Sequence, residues 1–146
     1  MNKTIVLATD HAGFELKEHV KNFLSEKGYN VKDFGALEYD ELDDYPDFIL
    51  PAAKHIAEHN LKGIIFGGSG QGEAMAANRI KGIRAAVFYN GPSEIIELSR
   101  MHNNANILSI GARFLSNKDA ELIIELWLST DFEHGRHEKR INKLDS

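Results

Sequence analysis

Five short apolar runs alternate with five amphipathic segments along this chain, and this alternation constrains the fold more than any other feature. The runs are rich in β-branched residues and end at glycine or polar residues, which is typical of buried strands. We predict strands at Thr4–Thr9, Tyr29–Phe34, Gly63–Phe66, Arg84–Tyr89 and Ala105–Ile110. Strands that alternate with helices form a parallel sheet covered by helices on both faces.

The segments between the runs carry helix signals. Apolar residues at helical spacing after the first strand end at Lys27-Gly28, a C-terminal cap, and Pro46 suits the first turn of a helix that runs to about Asn60. Later helices are predicted to open at Gly72–Asn78 and to span Ser93–Met101 and Asn117–Leu128, the last burying Ile123, Ile124, Leu126 and Trp127. The acidic residues 35–45 are expected to form a mobile loop, and the tail from Asp131 a short last helix. The fold class is therefore α/β: a three-layer α/β/α sandwich around a five-stranded parallel sheet, Rossmann-like, with a C-terminal tail helix.

Length and charge narrow the classes of function. A chain of 146 residues suits one domain, residues 1–146, with a core of its own. A formal net charge of −5 argues against general binding to nucleic acid or to membrane surfaces. The absence of cysteine excludes disulfides and thiolate nucleophiles and fits a cytoplasmic protein. No charged-then-apolar leader precedes the first strand, and no apolar run approaches the ~18 residues of a membrane span.

A glycine-rich stretch, Gly67-Gly68-Ser69-Gly70-Gln71-Gly72-Glu73, joins the third strand to the third helix. Its spacing is close to that of a phosphate loop, but Glu73 stands where that loop needs lysine, and a carboxylate would repel phosphate. We hypothesise that Glu73 is a general base and that the loop amides stabilise an oxyanion. A glutamate in a first helical turn is also favoured by the helix dipole alone. Burial would raise its pKa and the dipole would lower it, so the sequence leaves its titration open.

Other polar residues also follow strands. Asp10-His11 follows the first strand, Asn90 the fourth, and Gly111-Ala112-Arg113 the fifth. Ligands of parallel sheets bind at the carboxyl ends of the strands, so these residues are candidates for one site. Asp10 can cap the first helix, and it can also orient His11 and tune its charge.

Two polar motifs lie elsewhere. His102-Asn103 ends the fourth helix, either as a C-terminal cap or as an acid/base histidine with an amide neighbour. Arg136 and Arg140 lie four residues apart on one face of the tail helix, either solvated or as a phosphate clamp that Arg113 could join.

Metal and dinucleotide patterns are weak in this chain. The segment from His55 to His59 matches the zinc pattern H-x-x-E-H, but its helix is short and no third carboxylate ligand is apparent nearby. Gly68, Gly70 and Gly72 follow the third strand rather than the first, and Glu73 replaces the last glycine of a dinucleotide fingerprint. No metal and no cofactor are expected.

Taken together, these motifs resemble the type B ribose-5-phosphate isomerase family, which includes galactose- and allose-phosphate isomerases. The resemblance covers nearly the whole chain and is carried by six motifs in order: Thr9–Gly13, Asp44–Asp47, Gly67–Glu73, Ala76–Arg79, Arg100–Asn106 and Gly135–Arg140. Many members carry a catalytic cysteine at the position of Gly67. This chain is similar to the other branch, in which a glutamate after the loop, here Glu73, replaces the thiolate.

The resemblance implies aldose–ketose isomerisation of ribose 5-phosphate through a cis-enediolate, in the pentose phosphate pathway. It implies that His102, helped by Asp10, opens the sugar ring and that Glu73 carries the carbon-bound proton. Ser69 and the loop Gly68, Gly70, Gln71 and Gly72 would steady the oxygens with Asn103. The phosphate candidates are His11, Arg113, Arg136, His137 and Arg140, and Tyr45 is expected to line the pocket. The family pattern is a homodimer, sometimes paired into tetramers, with each site shared between subunits.

Two alternatives stay open at this point. One is isomerisation of a six-carbon sugar phosphate, either allose 6-phosphate or galactose 6-phosphate. The other is a non-catalytic sugar-phosphate binding module with the same fold.

Overall fold

A computed structural model describes residues 3–146. It contains a five-stranded sheet in which every pairing is parallel and the strand order is β2-β1-β3-β5-β4. The strands are β1 (Thr4–Thr9), β2 (Asn30–Asp33), β3 (Lys62–Gly67), β4 (Ala85–Phe88) and β5 (Ile107–Gly111). The predicted number and direction of the strands are confirmed; β1 has the predicted ends, and the ends of the other four strands differ by one or two residues.

Six α-helices accompany the sheet within residues 3–146. They are α1 (Phe14–Glu26), α2 (Pro46–His59), α3 (Gln71–Ala77), α4 (Glu94–Met101), α5 (Asn117–Ser129) and α6 (Arg136–Ile141). The α/β/α sandwich and the short tail helix are therefore confirmed. Each of these helices is too short or too polar to cross a bilayer.

The sheet has two buried faces because alternate side chains of each strand point to opposite sides. Ile5 and Leu7 of β1 join one core with α1, α4 and α5, whereas Val6 and Ala8 join a second core with α2 and α3. In α5, Ile124 and Trp127 are fully buried, while the predicted Ile123 and Leu126 are only partly covered. Burial on both faces explains why the strands are continuous apolar runs rather than alternating ones.

The strand order places a crevice between β1 and β3. The chain crosses from β1 to β2 in one direction and from β2 to β3 in the other, so α1 and α2 lie on opposite faces when both crossovers are right-handed. Ligand sites of open α/β sheets lie at the carboxyl ends of strands at such a reversal. Asp10 and the glycine loop follow β1 and β3, so they meet at this point.

The acidic segment 35–45 is irregular, as predicted, but it is tied to the helical layer. Lys17 of α1 is fully buried and donates to both carboxylate oxygens of Asp33 at 2.8 Å and to the carbonyl of Ala36 at 2.6 Å. Burial alone would raise the pKa of Asp33, but hydrogen bonds from Lys17, the Gly35 amide and Lys21 outweigh it and lower this pKa. The buried ion pair therefore anchors the start of the segment beside the site.

Candidate active site

The glycine loop leaves room for the side chain of Glu73. A Cβ atom at position 67 would fall on the Glu73 carboxylate, well inside the 3.0 Å that real Cβ atoms respect. The carboxylate therefore occupies the space that any side chain at position 67 would need. Glu73 can therefore occupy its position because residue 67 has no side chain.

Two further glycines of the loop make room for candidate substrate ligands. A Cβ on Gly68 would lie 2.9 Å from the guanidinium carbon of Arg113, and one on Gly72 would lie 2.9 Å from the ring carbon Cζ of Tyr45. Arg113 reaches this position because its backbone amide donates to the Gly68 carbonyl at 3.1 Å. The structure thus brings Arg113 and Tyr45 onto the loop that carries Glu73.

Gly70 has a different role, because it turns the chain into α3. Its φ of 80° lies in the left-handed region that favours glycine. Its carbonyl accepts a 2.6 Å hydrogen bond from the buried Ser109 hydroxyl of β5, which pins the turn to the sheet. The Ser69 hydroxyl accepts from the Gln71 amide at 3.3 Å, while the side chain of Gln71 is exposed.

Glu73 has the environment of a proton carrier. Only 5% of its surface is exposed, although it lies in the first turn of α3. Burial raises the pKa of Glu73 above its ordinary value, and the charge of nearby Asp10 adds to the effect. The effect of burial on the pKa of Glu73 therefore outweighs that of the helix dipole, a balance that the sequence had left open. A carboxylate with a raised pKa is a stronger base toward a weakly acidic C–H bond.

At the end of β1, the structure brings together Asp10, His11 and Asp43. Asp10 is buried and accepts from the Ala12 amide at 3.0 Å. It therefore caps the 3-10 turn His11–Gly13 that leads into α1, whereas α1 itself starts after Gly13 without a side-chain cap. The carboxylate that orients His11 is Asp43 rather than Asp10, because His11 Nδ1 lies 2.7 Å from Asp43 Oδ1. Sequence reasoning missed Asp43, since it is one of several aspartates in an acidic segment and only the chain path of that segment singles it out.

His102 and Asn103 lie with the tail helix rather than with the glycine loop. The rings of His102 and His137 stack at a centroid distance of 4.2 Å and an interplanar angle of 13°. Each Nε2 lies 3.6 Å from Oε1 of Glu133, whose amide donates to the Met101 carbonyl at 3.0 Å. Burial and the neighbouring His102 lower the pKa of His137. Asn103, Arg136 and Arg140 are exposed.

The candidate residues of one chain thus form two groups, which we call the loop cluster and the tail cluster. The loop cluster comprises Asp10, His11, Tyr45, Gly67–Glu73 and Arg113. The tail cluster comprises His102, Asn103, Arg136, His137 and Arg140.

The two clusters lie at opposite edges of the sheet. Gly67 and Gly111 are paired at the carboxyl edge, whereas His102 ends α4 shortly before β5 begins at Ile107. At ~3.3 Å per residue, a strand with the 5 residues of β5 separates the amino and carboxyl edges of the sheet by roughly 15 Å. His102 therefore lies too far from Glu73 and Asp10 of its own chain to act on the same bound sugar.

Within residues 3–146, two groups of side chains each offer three possible metal ligands within 4.8 Å of one another: His102, Glu133 and His137, and Asp10, His11 and Asp43. In the first group the imidazole rings are nearly parallel, so their nitrogen lone pairs run side by side instead of converging on one ion. In the second group His11 Nδ1 already shares a proton with Asp43. Neither arrangement has the converging geometry of a metal centre.

Comparison with known proteins gives one consistent result. The family model described as Ribose/Galactose Isomerase matches residues 5–144. A probable ribose-5-phosphate isomerase B of Mycoplasma pneumoniae is 41% identical over 145 residues, which cover 99% of this chain and 94% of the relative. A solved ribose 5-phosphate isomerase of Thermotoga maritima is 44% identical, with a TM-score of 0.91 and 97% of each chain covered.

A second solved structure adds a ligand. Ribose-5-phosphate isomerase B of Mycoplasma genitalium, with bound ribulose-5-phosphate, is 37% identical with a TM-score of 0.91 and covers 97% of this chain and 93% of its own. Fold and overall sequence therefore agree with the resemblance predicted from the six motifs. The chain belongs to the Ribose/Galactose Isomerase family.

Proposed function

We propose that this chain is an aldose–ketose isomerase that interconverts ribose 5-phosphate and ribulose 5-phosphate. The observation that carries the proposal is the buried Glu73 carboxylate, held above Gly67 in the loop whose Gly68 carbonyl accepts from the Arg113 amide. The structure of a relative with bound ribulose-5-phosphate supports the same substrate. Residues 1–146 act in this proposal as one sugar-phosphate isomerase domain, and the cytoplasmic location expected from the sequence stays a prediction.

The reaction needs a proton to move between adjacent carbons. Glu73 takes the proton from C2 of the open aldose, and the electron pair of that bond forms the double bond of a cis-enediolate. The carbonyl electron pair of the aldose moves onto O1. The same carboxyl group returns the proton to C1, and the C2 hydroxyl proton passes to O1, so that C2 becomes the carbonyl of the ketose and C1 its hydroxymethyl carbon. Ser69 and the amides of Gly70–Gly72 stabilise the charge on the enediolate oxygens, because fixed donors need no reorganisation as the charge develops.

The remaining roles divide between the two clusters. His102 with Asp10 opens the sugar ring, and Asn103 assists at the enediolate. His11, Arg113, Arg136, His137 and Arg140 bind the phosphate, and Tyr45 closes one wall. Guanidinium groups suit this task because they bind phosphate oxygens in a bidentate manner. In this scheme the protein's own donors supply the charge stabilisation, and no metal or cofactor is expected.

We further propose that the active enzyme is a homodimer in which the loop cluster of one subunit meets the tail cluster of its partner. The proposal rests on the separation of the clusters to opposite sheet edges within one chain. A two-fold interface brings both pairs of clusters together at once, because residue i meets residue j and j meets i. Association of two such dimers would give a tetramer.

The substitution Glu73→Gln tests the assignment of the base. It keeps the size of a buried side chain but cannot take up the proton, so we expect kcat for ribose 5-phosphate to fall by about 10²–10⁴-fold. Glu58→Gln, at an exposed position on α2, is the matched control and should leave kcat unchanged. Near-native turnover by the Glu73→Gln variant would refute the proposed base.

A substrate panel tests the choice of sugar. Ribose, allose and galactose phosphates are compared by kcat/KM, with and without a chelator. The highest value for ribose 5-phosphate, unchanged by the chelator, is expected. Faster conversion of a six-carbon sugar phosphate would change the assigned substrate. Binding without turnover would favour the alternative of a non-catalytic sugar-phosphate binding module.

A further inference from the structure

A single carboxylate oxygen holds His11 at two points. Asp43 Oδ1 accepts the His11 backbone amide at 3.0 Å and faces Nδ1 of the same residue at 2.7 Å. Both contacts cross from the acidic segment 35–45 to the turn after β1. Together they fix the backbone of His11 and the rotation of its ring, which leaves Nε2 as the ring nitrogen free to meet a ligand.

The second oxygen of Asp43 strengthens this pairing. Among residues 3–146, Oδ2 is buried and has no hydrogen-bond partner, and only 9% of the Asp43 side chain is exposed. A buried carboxylate needs a compensating positive charge, because desolvation of an unpaired anion is costly. The imidazole of His11 is the group placed to supply that charge.

The charged groups around His11 give it a defined setting. Asp10 and Asp43 are negative, Arg113 is positive, and the ring of Tyr39 meets the imidazole edge-on at a centroid distance of 6.3 Å. The hydrogen bond to Asp43 raises the pKa of His11, the charge of Asp10 adds to this effect, and partial burial and Arg113 oppose it. The His11 side chain is 29% exposed, so a ligand can still reach it.

We propose that Asp43 is a positioning residue that keeps His11 as an imidazolium whose Nε2–H binds the phosphate of the sugar substrate. This inference rests on the proposed function. A phosphate dianion beside Asp10 and Asp43 would be repelled if His11 were neutral, since Arg113 would then be the only cation of the loop cluster. Protonated His11 balances the second aspartate and supplies a charge-assisted hydrogen bond.

The pH dependence follows from the sign of the shift. A raised pKa keeps His11 charged at higher pH than a free histidine, and binding of the phosphorylated sugar weakens as pH rises through that value. Without the Asp43 charge the same weakening occurs at lower pH. Protonation of the substrate phosphate affects wild type and variant equally, so the difference between their profiles of KM against pH reports the protonation of His11.

Asp43→Asn is the main variant, because asparagine can keep the bond from the His11 amide while it removes the charge. We expect KM for ribose 5-phosphate to rise about tenfold or more near neutral pH, the range for losing a charge-assisted hydrogen bond, with kcat within about twofold of wild type. The rise of KM with pH should also shift to lower pH. Asp44→Asn, the exposed neighbouring carboxylate, is the matched control and should reproduce the wild-type profile.

A nuclear magnetic resonance titration of the His11 ring tests the pair without turnover, with the signal assigned by its loss in His11→Gln. In wild type the signal should titrate with a pKa above the ordinary value of 6.5, and inorganic phosphate should raise that pKa further.

Three results would overturn the proposal: an unchanged KM profile in Asp43→Asn, a loss confined to kcat, or titration of His11 at or below 6.5. If Asp43→Asn did not fold, the wild-type titration would decide. If wild type failed to isomerise ribose 5-phosphate, the proposed function would fail, and the phosphate-dependent titration would still decide the role of Asp43.

Discussion

Replacing Gly67 with alanine should disable Glu73, although residue 73 itself is left unchanged. The new methyl carbon would fall on the Glu73 carboxylate, inside the 3.0 Å limit for a real Cβ contact. The β3 backbone at this point is paired with β5 through Phe66–Ile110 and Gly67–Gly111. The strand therefore cannot retreat easily, and the carboxylate has to move.

The size of the effect follows from that displacement. Ordinary contact needs 3.4–4 Å, so the carboxylate must retreat by more than about 1 Å, and a misplacement of even about 1 Å typically costs about 10²-fold in rate. Overpacking of this kind also destabilises a fold by about 1–3 kcal/mol. We therefore expect kcat to fall by about 10²-fold while the protein stays folded and KM changes little.

The assay is initial ketose formation from ribose 5-phosphate, with thermal unfolding recorded on the same samples. The control is a double-mutant cycle: in a Glu73→Ala background, Gly67→Ala should cost nothing further, because the group it displaces is already gone. The companion variant Gly67→Cys/Glu73→Ala places a thiol where the family's other branch carries one. Its kcat should be higher than that of Glu73→Ala alone. Wild-type kcat in Gly67→Ala would refute the reasoning, since the carboxylate would then not need the space above position 67.

Three further outcomes are expected. Mixing inactive Glu73→Gln and His102→Asn subunits at equal ratio should restore about a quarter of the wild-type sites, because each mixed dimer holds one unmutated site; no recovery after subunit exchange would contradict a shared site. Arg136→Ala should raise KM for the phosphorylated sugar by about 10–100-fold with little change in kcat, whereas Lys139→Ala on the same helix should not; equal KM values for the two variants would remove Arg136 from the phosphate site. Lys17→Ala leaves Asp33 without its buried partner and should lower the free energy of unfolding by about 3–5 kcal/mol in urea, against about 0–1 kcal/mol for the half-exposed Lys21→Ala. Because the pKa of Asp33 is lowered in the fold, this contribution is present above its unfolded value of 3.8 and is lost as pH falls through the folded value, so equal acid sensitivity of wild type and Lys17→Ala would count against it.

The local signals in the sequence predicted the elements well. α1 is capped at Lys27-Gly28, where Gly28 has a φ of 91°, and Pro46 opens α2, as expected from the backbone properties of glycine and proline. The differences arise where tertiary contacts decide. β5 begins at Ile107 rather than Ala105, because Asn104 adopts a φ of 45° and the side chain of Asn106 accepts from the Arg84 amide at 2.7 Å.

The candidate site was only partly visible in the sequence. Glu73 stood out because a carboxylate contradicts a phosphate loop, and its burial in the structure agrees with that interpretation. Asp43 did not stand out, since its partner His11 lies 32 positions away and no local pattern links them. In the sequence, Gly67 stood out only as the position where many family members carry a cysteine, whereas the structure shows that it leaves the space for Glu73.

The sequence by itself determined the α/β class and the family and singled out Glu73 as the candidate proton carrier, because periodicity, turn residues and motif spacing are properties of neighbouring positions. The tertiary structure decided which distant side chains meet. It placed Asp43 on His11, and it separated His102 from Glu73 by the length of the sheet. A helix antiparallel to its strands ends at the opposite edge from the one where those strands end. This geometry is the basis of our proposal that a second copy of the chain supplies the other half of the site.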